Sequence, residues 1–172
     1  MGACADISPR CLPSFFMKLM AQSLIVLLGL LTIQSLRATD TSSAPRIIVL
    51  HAGVGNAMKF DVTSIAAAPG ESVKVVLTNA SNLPKTVMGH NWILLKAGTD
   101  PVTFAQAGAP EATAGYIPAK LRDKIIAHIN LLGPGESGEV IFNAPVEPGD
   151  YPFLCSFPGH CVVGMKGTFT VK

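Results

Sequence analysis

The residues best suited to chemistry lie in one short stretch near the C-terminus, Cys155 to Met165, which reads CSFPGHCVVGM. Within it, Cys155, His160 and Met165 supply a thiol, an imidazole and a thioether. A Pro-Gly pair lies between the thiol and the imidazole and favours a turn, so the stretch is expected to form a hairpin loop. These side chains are soft or borderline ligands that suit copper. The stretch therefore predicts a copper-binding loop.

A second imidazole would complete this set of ligands. His90 is the candidate, because it opens a predicted strand, and two neighbouring strands at one end of a sandwich would bring it close to Cys155. Two histidines and one cysteine in a trigonal arrangement, with a weak axial methionine, are typical of a blue-copper electron-transfer site. A bound metal would hold the cysteine as a thiolate.

The cysteines also allow a different interpretation. Cys4 and Cys11 precede the apolar N-terminal run, so Cys155 and Cys161 would remain in an exported protein. A disulfide between these two would remove the thiolate and with it the metal site. We expect that disulfide only as an oxidation product of the metal-free protein. For Cys161 itself, a partly buried and inert thiol is the simplest expectation.

The elements that must position these ligands are short apolar runs separated by Gly, Pro and Asn. Strand patterns occur at 46–51, 58–65, 72–79, 90–96, 137–142, 151–156 and 165–172. Short strands with regular turn signals predict an all-β sandwich or barrel. Residues 100–122 interrupt the pattern, because they are rich in Ala, Pro and Gly. They predict an insertion between two strands, with a short helix near 102–107.

Composition excludes several classes of function. The 172 residues carry 13 Lys+Arg and 11 Asp+Glu. From Thr39 onward the two charge types balance, and a neutral domain argues against nucleic-acid binding and against strong electrostatic steering. The Asp, Glu and Ser residues form no pattern of a catalytic acid, base or nucleophile, so no enzyme is expected.

The N-terminal segment is not expected to belong to the fold. Residues 24–31 form the apolar run LIVLLGLL, which follows a lysine and precedes small and polar residues. This pattern predicts a secretory signal peptide over 1–38, with an uncleaved anchor as the alternative. The run is short for a transmembrane helix, which needs about 20 residues. A polar tether at 39–45 and one domain at 46–172 follow, in a periplasmic or otherwise exported compartment.

Several segments closely resemble the corresponding segments of azurin in sequence. They are Asn82–Trp92 (NLPKTVMGHNW), Ile126–His128 (IAH), Cys155–His160 (CSFPGH) and Met165–Thr168 (MKGT). The resemblance covers about Ile47 to Lys172 and identifies the chain as an azurin-like cupredoxin. It implies a Greek-key β-sandwich of eight strands with a short helical insertion between two strands. It also implies one type 1 copper per domain and single-electron transfer.

The resemblance implies roles for individual residues. The equatorial copper ligands would be His90, Cys155 and His160, the axial ligand Met165, and a weak further contact the Gly89 carbonyl. Separately, the position of His160 in its loop places its outer ring edge near solvent, where electrons would enter and leave.

Two further roles are implied around the ligands. Asn91 would tie the two ligand segments together. An apolar docking patch would be formed by Leu83, Val87, Met88, Phe157 and Pro158. Other conspicuous residues are assigned to packing: His51 and His128 to strands, Trp92 and Met58 to the core.

Three features depart from azurin. Four residues, 161–164, separate His160 from Met165, one more than in azurin and the same number as in auracyanin and plastocyanin. No cysteine after the leader is available for the disulfide near the N-terminus of azurin. Cys161 has no counterpart, and the sequence assigns it no role.

The leading interpretation is a monomeric electron shuttle between redox partners, such as a cytochrome-like protein and a membrane electron-transfer complex. A copper nitrite reductase or oxidase would need more domains and a second copper centre. A copper-handling protein would release its metal readily, which a buried site with mixed ligands disfavours.

Overall fold

The computed structural model describes residues 44–172, so the expectations for 1–38 and for most of the tether at 39–45 lie outside the described part. The strands are β1 (Arg46–Ala52), β2 (Ser64–Ala67), β3 (Ser72–Asn79), β4 (His90–Leu95), β5 (Ile125–Leu132), β6 (Ser137–Asn143), β7 (Gly149–Leu154) and β8 (Lys166–Val171). Two α-helices, α1 (Lys85–Met88) and α2 (Pro101–Gly108), lie between strands. Within the described range, no helix is long and apolar enough to cross a bilayer.

The strands form two sheets, with the orders β1-β3-β6 and β2-β8-β7-β4-β5. The chain moves from one sheet to the other between β1 and β2, between β2 and β3, and repeatedly afterwards. β1 runs parallel to β3, and β2 parallel to β8. The other pairs are antiparallel. Strands that are distant in sequence therefore become neighbours, as the sandwich prediction requires.

The main core lies between the two sheets. β3 alternates half-buried and buried residues along its whole length, which is the pattern of a strand with one face toward the core. Trp92 is fully buried there, as predicted, and its ring packs 5.7 Å from Phe153 and 6.1 Å from Phe142 between ring centroids.

A second apolar cluster covers the outer face of β4 and β7. β4 is buried at all six positions, because α2 and the segments after it cover the side that faces away from the main core. We call the connection from β4 to β5, residues 96–124, the flap. The Asp100 carboxylate caps α2 by accepting a hydrogen bond from the Thr103 backbone N–H at 2.7 Å, and Pro101 follows the cap. The short helix predicted in this insertion is confirmed.

The segment before β2 differs from its prediction. Residues 58–65 were predicted as one strand, but β2 begins only at Ser64, and Phe60 makes a single bridge to Ala52. The Asp61 carboxylate accepts a hydrogen bond from the His51 backbone N–H at 2.7 Å, and its second oxygen lies 2.8 Å from the His51 ring. These contacts hold the segment against the C-terminal end of β1. Met58, expected in the core, is 38% exposed.

Candidate metal centre

Sheet pairing brings the histidine and cysteine segments together at one end of the sandwich. His90 is the first residue of β4, and Cys155 follows the last residue of β7. The two strands pair directly through Ile93 and Leu154. Within residues 44–172, one group of side chains has the character of a metal site: His90, Cys155 and His160, whose ligand atoms all lie within 4.8 Å of one another.

The distances in this group fit one metal ion. The Cys155 sulfur lies 3.9 Å from His90 Nδ1 and 3.6 Å from His160 Nδ1. A zinc-sized ion with bonds of about 2.3 Å to sulfur and about 2.0 Å to nitrogen, at tetrahedral to trigonal angles, separates the two atoms by about 3.5 to 3.8 Å. Each histidine therefore presents Nδ1 toward a point that it shares with the sulfur. The thiol, the two imidazoles and a nearby thioether are the ligand types that copper favours.

Burial sets the protonation of all three side chains. His90 and Cys155 are fully buried, and His160 is 2% exposed. Burial lowers the pKa of His160 to about 4, and burial together with the charge of His160 lowers the pKa of His90 to about 4. Both rings are therefore neutral and free to coordinate at neutral pH. Burial raises the pKa of the Cys155 thiol to about 12, so a metal must displace its proton.

Two backbone groups face the Cys155 sulfur. The N–H groups of Asn91 and Phe157 donate hydrogen bonds to it, and these bonds lower the thiol pKa in opposition to burial. Hydrogen bonds to a cysteine ligand and the hydrophobicity of its surroundings tune the reduction potential of a copper site. The backbone itself thus contributes to the electrostatics of the site.

Asn91 joins three segments of the chain. Its side-chain oxygen accepts a hydrogen bond from the Ser156 backbone N–H at 2.8 Å. Its side-chain nitrogen donates to the Ser156 hydroxyl at 2.8 Å and to the Gly115 carbonyl at 3.0 Å. A fully buried amide therefore connects β4 to the residue after Cys155 and to the flap.

We call residues 155–165 the ligand loop, and backbone hydrogen bonds close it. The Cys155 N–H donates to the Met165 carbonyl at 3.1 Å, and the Met165 N–H donates to the His160 carbonyl at 2.9 Å. Met165 is fully buried at the base of the loop, next to Cys155. Cys155 and Cys161 are both free thiols, so the alternative disulfide is not formed.

The surroundings of His160 differ from expectation. Its outer ring edge was expected near solvent, but the residue is almost completely buried. The Phe157 ring stacks on it with centroids 4.6 Å apart, and Tyr116 of the flap packs edge-on against Phe157 at 5.1 Å. The aromatic residue of the ligand loop therefore covers the histidine instead of framing an exposed edge.

The apolar surface at this end also differs from the five predicted residues. Val87 and Pro158 are exposed and Leu83 is half-buried, but Met88 and Phe157 are buried beneath them. Sequence reasoning missed Val162 and Val163, which are 58% and 55% exposed. They lie in the four residues between His160 and Met165, and that longer spacing was the available signal. We call Val87, Pro158, Val162 and Val163 the loop-end surface.

Gly53 sets the position of the His90 ring. Its φ is +74°, and a Cβ added there would lie 2.6 Å from His90 Nε2. We expect Gly53→Ala to displace the ring and lower copper affinity about tenfold or more, as measured by competition with a chelator. Gly55→Ala is the matched control, because its φ is +62° but nothing lies within 4 Å of the added Cβ. Equal copper affinity in the two variants would contradict the prediction.

Comparisons with known proteins agree with this geometry. The family model of copper binding proteins, plastocyanin/azurin family, matches residues 48–172. The chain is 36% identical over 117 residues to auracyanin-B of Chloroflexus aurantiacus, covering 67% of this chain and 48% of that one. It thus spans about half the length of that relative. It is 44% identical over 101 residues to azurin of Pseudomonas fluorescens biotype A, covering 57% and 77% of the two chains.

Solved structures of similar proteins have the same fold as this chain. Reduced auracyanin from Roseiflexus castenholzii matches with a TM-score of 0.65 and 31% identity, covering 76% of this chain and 99% of that one. Auracyanin A from Chloroflexus aurantiacus matches with a TM-score of 0.65 and 32% identity, covering 75% and 100%. The predicted cupredoxin sandwich with a short helical insertion is therefore confirmed.

Proposed function

Because the chain belongs to the plastocyanin/azurin family of copper-binding proteins, we propose that it is a type 1 blue-copper protein that shuttles single electrons between redox partners. The observation that carries the proposal is the convergence of His90, Cys155 and His160, with their ligand atoms within 4.8 Å of one another. Copper supplies one-electron chemistry when it is bound at such a set of ligands. The protein supplies the ligands and holds them in place.

Rigidity of the ligands is the contribution of this chain to electron transfer. β4 and β7 are hydrogen-bonded neighbours, and the Asn91 side chain, on the second residue of β4, also connects β4 to Ser156 just past the end of β7. Supporting contacts of this kind keep ligands at fixed positions while the charge of the site changes. His90 and His160 remain neutral, and Cys155 carries the negative charge.

Two weaker contacts complete the proposed set of ligands. Met165 would be the axial ligand, since its thioether is soft and the residue is fully buried at the base of the ligand loop. The Gly89 carbonyl would be a weak further ligand. A Cβ at Gly89 would lie 2.6 Å from the Lys85 carbonyl oxygen, so the two backbone segments can approach this closely only with glycine at this position.

The loop-end surface is where we expect redox partners to dock. It is apolar, three of its four residues (Pro158, Val162 and Val163) lie on the loop that carries His160, and the domain after Thr39 has no net charge. A neutral apolar patch suits brief contact with another protein. Cytochrome-like proteins or a membrane electron-transfer complex are the partners we propose for a monomeric carrier.

Export rests on the N-terminal pattern. Residues 1–38 have the order of a secretory signal, and 39–45 would form a tether before the domain at 46–172. A periplasmic or otherwise exported location follows. The intact mass of the exported protein tests cleavage directly, since an uncleaved anchor retains the mass of the signal.

Addition of copper(II) to the purified protein tests the function. We expect an intense visible band from sulfur-to-copper charge transfer at one copper per chain, and a reversible one-electron wave in voltammetry. Zinc(II) is the matched control and should give neither. Absence of the band would overturn the copper assignment. Steady turnover of nitrite or oxygen would instead favour an enzyme, and rapid transfer of copper to an acceptor would favour copper handling.

A further inference from the structure

The four residues between His160 and Met165 differ sharply in burial. Val162, Val163 and Gly164 are exposed, whereas Cys161 is 1% exposed. Among these four, Cys161 is thus the residue that fastens the segment to the rest of the protein. It is also the residue next to a proposed copper ligand.

Cys161 is inserted in the apolar cluster beneath the flap. It packs with Ile93 and Leu154 of the second sheet and with Phe104 and Ile117 of the flap. Its thiol donates a hydrogen bond to the carbonyl oxygen of Pro101, the first residue of α2, at 3.4 Å. The sulfur therefore contacts the flap and does not belong to the group of three ligand atoms.

Backbone hydrogen bonds link the residues on both sides of Cys161 in successive turns. The Val163 N–H donates to the Gly159 carbonyl at 3.2 Å, and the Gly164 N–H donates to the Cys161 carbonyl at 3.1 Å. The Met165 N–H donates to the His160 carbonyl at 2.9 Å. A displacement of Cys161 would therefore be transmitted to the residues on both sides of it.

We propose that Cys161 is a positioning residue, which fastens the ligand loop to the flap and thereby fixes His160 against His90 and Cys155. The inference rests on the proposed copper function and extends it. Cysteine suits the position because its side chain is small and apolar and carries a weak donor. Alanine would leave a cavity and no donor. Serine would keep a donor in a side chain of nearly the same size, and a small shift of the segment would bring its hydroxyl within hydrogen-bond distance of the same carbonyl.

The test compares copper binding by variants of the full chain. We expect Cys161→Ala to lower copper affinity about tenfold, as loss of a supporting contact does at other metal sites. The charge-transfer band and the reduction potential should both shift. Cys161→Ser should recover most of the wild-type spectrum, and it also provides a result should the alanine variant fail to fold.

Leu121→Ala is the matched control. Leu121 belongs to the flap and packs against the apolar cluster that contains Cys161, but it is not part of the ligand loop. Its truncation should lower stability and leave copper affinity, spectrum and potential unchanged. Alanine and serine variants of Cys161 that both bind copper within twofold of wild type, with an unshifted band, would overturn the proposal. Loss of the band in the wild-type protein would instead overturn the copper function itself.

Discussion

Replacement of Cys155 by serine will abolish the visible charge-transfer band of the copper-loaded protein. The band requires a thiolate bonded to copper, and an alkoxide does not form in its place at neutral pH. The fold should survive, because serine is close to cysteine in size and its oxygen can accept hydrogen bonds from the N–H groups of Asn91 and Phe157 that now face the sulfur. Absorption spectroscopy and circular dichroism measure the two outcomes.

Cys161→Ser is the matched control for this prediction. It makes the same chemical change six residues along the chain, at a thiol that faces the Pro101 carbonyl instead of the two histidines. The control should keep an intense band. A band that persists in Cys155→Ser would show that another group supplies the sulfur, and the assignment of the ligands would then fail.

The metal-free protein will lose stability steeply as the pH falls from 6.5 toward 4. Burial lowers the pKa of His90 and His160 from 6.5 to about 4 in the folded protein. Between these values the unfolded chain binds more protons than the folded chain, so protonation favours unfolding as the pH decreases. Each histidine contributes a slope of up to about 1.4 kcal/mol per pH unit to the free energy of unfolding.

Urea denaturation of the metal-free protein between pH 4.5 and 7 measures this slope. Carboxylates respond at lower pH: a hydrogen bond from Arg46 lowers the pKa of Glu71, and one from the Gly133 backbone lowers that of Glu136, both from 4.5. The chosen window therefore reports mainly on the histidines. His160→Gln is the control and should reduce the slope by about half. If His160→Gln left the pH dependence of the free energy of unfolding unchanged, the attribution of this dependence to the two buried histidines would be wrong.

Local patterns in the sequence are sufficient to predict some strands of the fold but not others. β3 was predicted over 72–79 and occupies Ser72–Asn79, because one face of the strand lies on the core and the other does not. The segment around Met58 has similar alternation, but the hydrogen bonds of Asp61 to β1 override it. β5 was not recognised from its pattern, and two register irregularities interrupt its pairing with β4.

In the site, too, residue types and spacing could be predicted from short stretches of sequence, whereas contacts between distant segments could not. The types and spacing of Cys155, His160 and Met165 are local, so the sequence was sufficient to propose the loop that carries them. The burial of His160 depends on how Phe157 and the flap pack, which no spacing reveals. The partner of the Cys161 thiol is Pro101, in a part of the chain that only folding brings near.

The pairing of β4 with β7 also limits when a metal ion can bind. A growing chain that ends before residue 149 contains His90 but none of the other three proposed ligands, and β4 lacks one of its two neighbouring strands. A copper ion that needs all four of these side chains therefore cannot bind before the ligand loop has been synthesised. Contacts between residues so far apart in sequence form slowly compared with local ones, and during this interval both cysteines are reduced thiols without a metal to protect them. We therefore expect the ion to bind only after β4 and β7 have paired.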